Sequence, residues 1–241
     1  MAKISQKEWN RYVELMASIC SEAAEQFSKA VIKAGGYGNM TPKQISEIAY
    51  SIIEYYGEGT AALTASVYDS IAALQKAAVA PAELARAADF EDVAKAVNAV
   101  LRDYTDMSYM DAVVGKFVKQ VGADTLVKNA IRDGAEVAWV PDGMTCAFCV
   151  TLASRGWETV SKRTLKNGHA EHIHPNCDCQ YCVRFNDDVT VEGYQPELYK
   201  KMYYSADGKT PRDKINAMRR EFYKLDKEAG EGTNNSALIE V

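Results

Sequence analysis

The feature that most constrains this chain is the crowding of its cysteines and histidines. Of six cysteines in 241 residues, five (Cys146, Cys149, Cys177, Cys179 and Cys182) fall within 37 positions, and all three histidines, His169, His172 and His174, lie inside the same window. Thiolates and imidazoles suit zinc rather than calcium or magnesium. The competing readings are a disulfide framework and free reduced thiols. A disulfide framework belongs to small secreted chains. Here the residues after Met1 form no apolar signal-like run, and the remaining chain is long enough to build a core unaided.

The spacing then ranks the ligands. Cys146-x-x-Cys149 puts two sulfurs on one turn, and a tetrahedral ion needs two more ligands from elsewhere. The later group offers His174, Cys177, Cys179 and Cys182. The order of expectation is Cys146 and Cys149, then Cys177 and His174, then Cys179, with Cys182 last. Both thiols of a C-x-C pair reach one ion only if the backbone curls, so one of Cys177 and Cys179 is expected to stand behind the other. His169 and His172 are expected to face solvent or, at most, to support a ligand.

Residues 1–138 read as an α-helical domain, a bundle or array. Trp9, Val13, Met16, Cys20, Ala23, Phe27 and Ala30 recur at spacings of four and three, a stripe on one helix face. Cys20 sits on that stripe and reads as core filler. Gly35-Gly36 ends the segment, and Thr41-Pro42 starts the next. Ile45, Ile48, Ile52 and Tyr56 follow, with Gly57 and Gly59 as interruptions. Leu63, Val67, Ile71 and Leu74 form another stripe, then Phe90, Val93, Val97, Val100 and Leu101, then a segment from about Met110 to Ile131 with Gly122 as a break. Tyr50, Tyr55 and Tyr56 form an aromatic cluster read as core, with an interface anchor as the alternative. No stripe carries a catalytic constellation.

Residues 139–184 change character and read as a small α+β zinc-binding module. Trp139 to Thr145 is extended chain and turn, Val150 to Gly156 a short helix, and Trp157 to Val160 a strand. Val183-Arg184-Phe185 resumes a strand pattern. Residues 185–241 read as a strand and helix extension with a mobile end. Pro196 and Pro211 each open a helix, the second with Ile215, Met218, Phe222 and Leu225 on one face. The whole is therefore expected to be mainly α.

Composition sets outer limits. Apolar residues are 47% and charged residues 25%, which suits a globular chain, and no run of about 18 apolar residues exists to span a membrane. The net charge of −5 excludes a globally basic nucleic-acid binder. A local patch survives that exclusion: residues 200–227 hold nine Lys or Arg against four Asp or Glu, a local +5. Such a patch suits DNA phosphates or an acidic protein surface, although a solvated helix has the same composition.

Taken together, Cys146-x-x-Cys149, the run Leu152-Ala153-Ser154-Arg155-Gly156 and His174-Pro175-Asn176-Cys177-Asp178-Cys179 resemble the core of the Mu gpF-like minor head proteins of tailed phages. The resemblance covers roughly residues 139–184, and Cys182 has no counterpart in it. It implies a virion protein of the head, acting in head morphogenesis at or near the portal vertex. It further implies the portal and other head proteins as partners and, in some members, passage with the packaged DNA. The Zn²⁺ is expected to be structural, because a site this rich in cysteine is usually closed, and the helical half is expected to oligomerise on the portal.

Enzyme readings fit less well. His169-Ala170-Glu171 and Pro175-x-Cys177-x-Cys179 partly match a zinc deaminase, but five residues between the motifs leave no room for the intervening elements. His172, His174 and Asn176 suggest a His-Asn-His nuclease, yet fall within five positions where such enzymes need separate elements. A Cys–His dyad is less economical than a metal, and Ser154 has no evident base. The expectation is a non-enzymatic chain, with a zinc-dependent enzyme acting on nucleic acid as the alternative.

Overall fold

The computed structural model describes residues 2–141, 145–162, 165–166, 169–170, 173, 177, 179–187 and 189–229. Its first long helix, α1 (Gln6–Lys33), starts in a capping box: the Glu8 N–H donates to Ser5 Oγ and the Ser5 N–H donates back to the Glu8 carboxylate. Thr41 and Gln44 repeat the device for α2 (Pro42–Leu74), with Pro42 at the first helical position. Next come α3 (Phe90–Asp103) and α4 (Ser108–Asp133), and α4 ends at Gly134 in the left-handed region, φ +65°.

Two of the glycines that read as breaks, Gly57 and Gly122, are contact points. α2 runs unbroken through Gly57 and Gly59, and α4 through Gly122. A methyl group at Gly57 would lie 2.8 Å from Val121 Cγ2. One at Gly122 would lie 2.9 Å from both Met16 Cε and Thr64 Oγ1, and 3.3 Å from the Thr60 carbonyl. The absent side chains let α1, α2 and α4 approach closely, which offsets the about 1 kcal/mol that glycine costs a helix interior. Thr60 exploits the same approach, its hydroxyl donating across to the Val118 carbonyl at 2.7 Å.

The α1 stripe holds with two adjustments. Trp9, Val13, Met16, Ala23 and Phe27 are buried, but Tyr12 joins them and Val31 replaces Ala30. A straight helix drifts about 20° per heptad against a 3.5-residue repeat, so a strict stripe rotates out of the core over three heptads. Cys20 is half-buried at the seam between two hydrophobic clusters. The tyrosine triplet divides. Tyr50 and Tyr56 pack against the core edge, whereas Tyr55 is 73% exposed because its position on α2 points outward.

One cluster joins Phe27, Ile45, Ile53, Val93, Val97 and Val114 of the four helices. The chain between α2 and α3 has no regular structure over 78–89 and is held by side chains instead. Asn129 bonds both the N–H and the carbonyl of Glu83, Thr125 accepts the Ala85 N–H, and Asp69 accepts that of Ala82.

The other cluster runs from Trp9, Met16, Tyr68 and Leu126 into the cysteine-bearing region. There β2 (Glu136–Val140) is the centre of an antiparallel sheet, flanked by β3 (Glu158–Thr159) and by β6 (Gln180–Arg184). A second pair is the hairpin of β4 (Leu165–Lys166) and β5 (His169–Ala170). A third is the parallel pair β1 (Ala2–Ile4) and β7 (Val189–Val191), closed by a Lys3–Glu192 ion pair at 2.6 Å. The short helix α5 (Ala147–Ala153) starts directly after Cys146, three residues earlier than the sequence suggested. It packs on α6 (Pro196–Ser205) and α7 (Pro211–Ala229), whose Tyr199, Met218 and Phe222 complete this core. The chain is thus mainly α, with small sheets. None of its described helices is long and apolar enough to cross a membrane.

Candidate metal centre

The β2–β6 ladder builds the site. Its register pairs Val140 with Gln180, so the chain just after Val140 and the chain just before Gln180 leave the ladder side by side. Thr145, Cys146 and Cys149 lie on the first exit, and Cys177 and Cys179 on the second. Cys146 is the N-cap of α5 and Cys149 falls in its first turn, spaced three apart.

The Cys149, Cys177 and Cys179 sulfurs lie within 4.8 Å of one another, close enough to hold a metal ion. The Cys149–Cys177 separation is 3.3 Å, far from the about 2.05 Å of a disulfide, and none of the six cysteines forms a disulfide. Sulfurs about 2.3 Å from a tetrahedral zinc sit about 3.8 Å apart, inside the spread seen here. Cys149 and Cys179 are buried and Cys177 half-buried. The half-buried Cys146, ranked with Cys149 at the head of the expected ligands, is not one of the three, although its thiol contacts that of Cys149. Both members of the C-x-C pair join the cluster, contrary to the expectation that one would stand behind the other. Both precede β6, which begins at Gln180. Cys182 lies fully buried in the core and is not one of the three; burial pushes its thiol up to about 12. His174 and His172, and with them Glu171, fall outside the described residues.

Three thiols in one buried pocket oppose one another's ionisation. Contacts with Cys146, Cys177 and Cys179, together with burial, hold the Cys149 thiol well above its ordinary range. At Cys179 the contact with Cys149 lowers the pKa, but the contact with Cys177 and burial prevail and bring it to about 12. A divalent cation inverts this logic, since each thiolate then meets opposite charge. Thr145 adds a buried hydroxyl 3.6 Å from Cys179 Sγ.

Sequence reading missed the floor of the site. Lys119, 5% exposed, donates from its ammonium to the Cys177 carbonyl and lies 5.9 Å from the centre of the Trp139 ring. Gln120 donates to the Ala170 carbonyl at 2.7 Å and to Asp124 Oδ1 at 3.0 Å. Asp124, 1% exposed, accepts the Ala170 N–H and lies 2.6 Å from His169 Nδ1 through Oδ2. One helix therefore grips both the hairpin and the thiol-bearing exit. His169 is not simply solvent-facing as expected: it is paired with a buried carboxylate. That hydrogen bond raises its pKa, against an opposing effect of burial. The available signal was the polar residues Lys119, Gln120 and Asp124 in the apolar-rich middle of α4, where every residue from Phe117 to Val127 is buried.

A cleft of about 610 Å³ opens beside the centre, lined by Cys20, Ser21, Asp111, Lys116, Lys119 and Cys177 among others. Burial holds the Lys116 ammonium below its ordinary pKa. Ser154, by contrast, is used locally, its hydroxyl donating to the Thr151 carbonyl at 2.8 Å.

A model of the VG15 protein family matches residues 3–206, most of the chain and all of the cysteine-bearing region. The chain belongs to the VG15 protein family. This is a family of viral, phage-encoded gene products, so this member is a phage protein. No curated protein and no solved structure matches the chain.

Proposed function

We propose that this VG15 family member is a minor head protein of the phage particle, docked at or near the portal, oligomeric there, and acting in head morphogenesis. The observation that carries the reading is the convergence of Cys149, Cys177 and Cys179, from segments nearly thirty residues apart, on one point of a chain in a phage family. The metal is Zn²⁺, held by these three thiolates with Cys146 or His174 as the fourth ligand. Its role is structural: it ties the α5 loop to the strand exit, where the chain is short of apolar residues. The helical half supplies the protein–protein surface, and residues 200–227 meet the packaged DNA.

One observation favours the alternative, a zinc-dependent enzyme acting on nucleic acid. Cys177 lines an open cleft together with two lysines, where a catalytic ion needs access. Lys116→Met and Asp111→Asn together separate the two readings. In a phage carrying both substitutions, the structural reading expects the protein to enter purified particles at its normal level and the particles to stay infectious. Normal incorporation with lost infectivity, coupled to a metal-dependent nuclease activity that the substitutions abolish, would establish the enzyme. A protein found only in infected cells and never in particles would end the head-protein reading.

A further inference from the structure

The charge excess of residues 200–227 is not spread evenly, and the fold sorts it. Lys214 is turned inward: its ammonium donates to the carbonyls of Tyr203, Tyr204 and Ala206, tying the end of α6 to α7. Asp213 is used in a capping box with Thr210 at the start of α7. What remains on the exposed side of α7 is Arg212, Arg219, Arg220 and Lys224, with Glu221 as the one described carboxylate among them. No ion pair engages Arg219, Arg220 or Lys224 among the described residues. Lys200 and Lys201 of α6 are exposed as well, Lys200 beside Glu197 at 3.7 Å, and Asp207 shares a groove with Arg220, Glu221 and Lys224.

Helical geometry aligns these cations. Arg212 and Arg219 are seven residues apart on one line of α7. Arg220 and Lys224, four apart, form the adjoining line, away from the buried Met218 and Phe222. At 1.5 Å per residue the row from Arg212 to Lys224 is about 18 Å long. Duplex DNA presents one phosphate charge per about 1.7 Å of axis, so a straight row of this length faces about five base-pair steps. Most of the chain outside 200–227 is acidic: the total of −5 less the local +5 leaves −10. The protein is therefore polarised, with one face suited to a polyanion and the remainder repelled by it.

We propose that the exposed face of α7 is a docking surface for the sugar–phosphate backbone of double-stranded DNA. The contact is to phosphates and is independent of base sequence. It deepens the particle-protein reading by giving the DNA contact its residues. α6 and α7 both pack on α5, the helix that bears Cys149, so the surface is mounted on the metal centre. Loss of the metal should weaken DNA binding through loss of that support.

The test uses the full-length zinc-loaded protein and a blunt duplex of mixed sequence, with affinity measured from about 50 to about 200 mM salt. Four phosphate contacts give a slope of about −3.6 in log K against log salt. Arg219→Glu with Arg220→Glu should cut affinity at least tenfold at low salt and lower the slope by about two, with zinc content and thermal unfolding unchanged. Lys43→Glu with Lys95→Glu, exposed at 78% and 74% on α2 and α3, makes the same change in net charge elsewhere and should leave binding intact. Absent or salt-independent binding overturns the proposal, as does an equal loss in the two double variants. Tighter binding to an acidic polypeptide than to the duplex also overturns it and points to a protein partner. None of these outcomes bears on whether the protein enters heads, so failure here leaves the particle reading standing.

Discussion

The helical half and the cysteine region are stabilised by different means. In the first, stability is local and repetitive: capping boxes start α1 and α2, apolar stripes pack, and glycines admit close helix contact. In the second, the regular elements are short, with β3, β4 and β5 two residues each and α5 seven. Such pieces are too short to be stable alone. They are held by the β2–β6 ladder and by the buried polar side chains of α4, and three thiols that could share a metal ion converge among them. The lesson is that α4 serves both halves. One side closes the helix bundle through Val114, Val118 and Gly122, and another presents Lys119, Gln120 and Asp124 to the cysteine region.

On the proposed reading Cys149 holds a metal ion, and losing that ion is the strongest way to break this comparison. Cys149→Ser, or metal removal with a chelator, should then cost about 4 kcal/mol or more of the cysteine region's stability. Helical circular dichroism should persist, while hydrogen exchange in β2 and β6 rises sharply. Uniform loss of helix and strand signals together would show that the two regions do not differ as argued.

A smaller effect tests the helical half. Gly122→Ala gains about 1 kcal/mol in helix propensity, but its methyl meets the Thr60 backbone as well as two side chains, and overpacking costs about 1–3 kcal/mol. A net loss of about 1–2 kcal/mol in urea unfolding is expected, with zinc content unchanged. Gly57→Ala brings a methyl 2.8 Å from Cγ2 of the buried, β-branched Val121, which cannot swing aside, and should lose about 1–2 kcal/mol as well. Gly59→Ala, whose methyl would meet nothing nearer than 3.9 Å, should not lose stability; a loss there equal to the other two would show that close approach is not what these glycines are for.

The smallest effect concerns the Asp124–His169 pair. Its histidine has a raised pKa in the folded state, so its stabilisation is complete below the unfolded value of about 6.5. It fades as pH climbs through the folded value. The β4–β5 hairpin should therefore exchange amide protons faster, beyond the intrinsic pH effect, above that point. Asp124→Asn should remove the dependence and return the His169 titration towards its ordinary range. A wild-type His169 titrating at or below about 6.5 would show that the pair does not hold charge.

The mainly helical character was legible because it is periodic. Trp9 to Phe27 and Val93 to Val100 state their own faces, and Ser5, Thr41 and Pro42 state their own starts. The thiols were legible as a group because few other chemistries bring cysteines together so closely in sequence. The glycines were misread because a gap in a side-chain pattern looks the same whether the helix ends or a neighbour fills the space.

The sequence by itself determined which residues can make helices and which atoms can grip a metal, since both follow from local spacing and side-chain chemistry. Only the tertiary structure decided that Cys177 and Cys179 both face Cys149, that His169 pairs with Asp124, and that Lys119 reaches the Cys177 carbonyl. Each of these contacts joins residues at least 28 positions apart. No local rule fixes such distances; the β2–β6 register and the packing of α4 beneath it do.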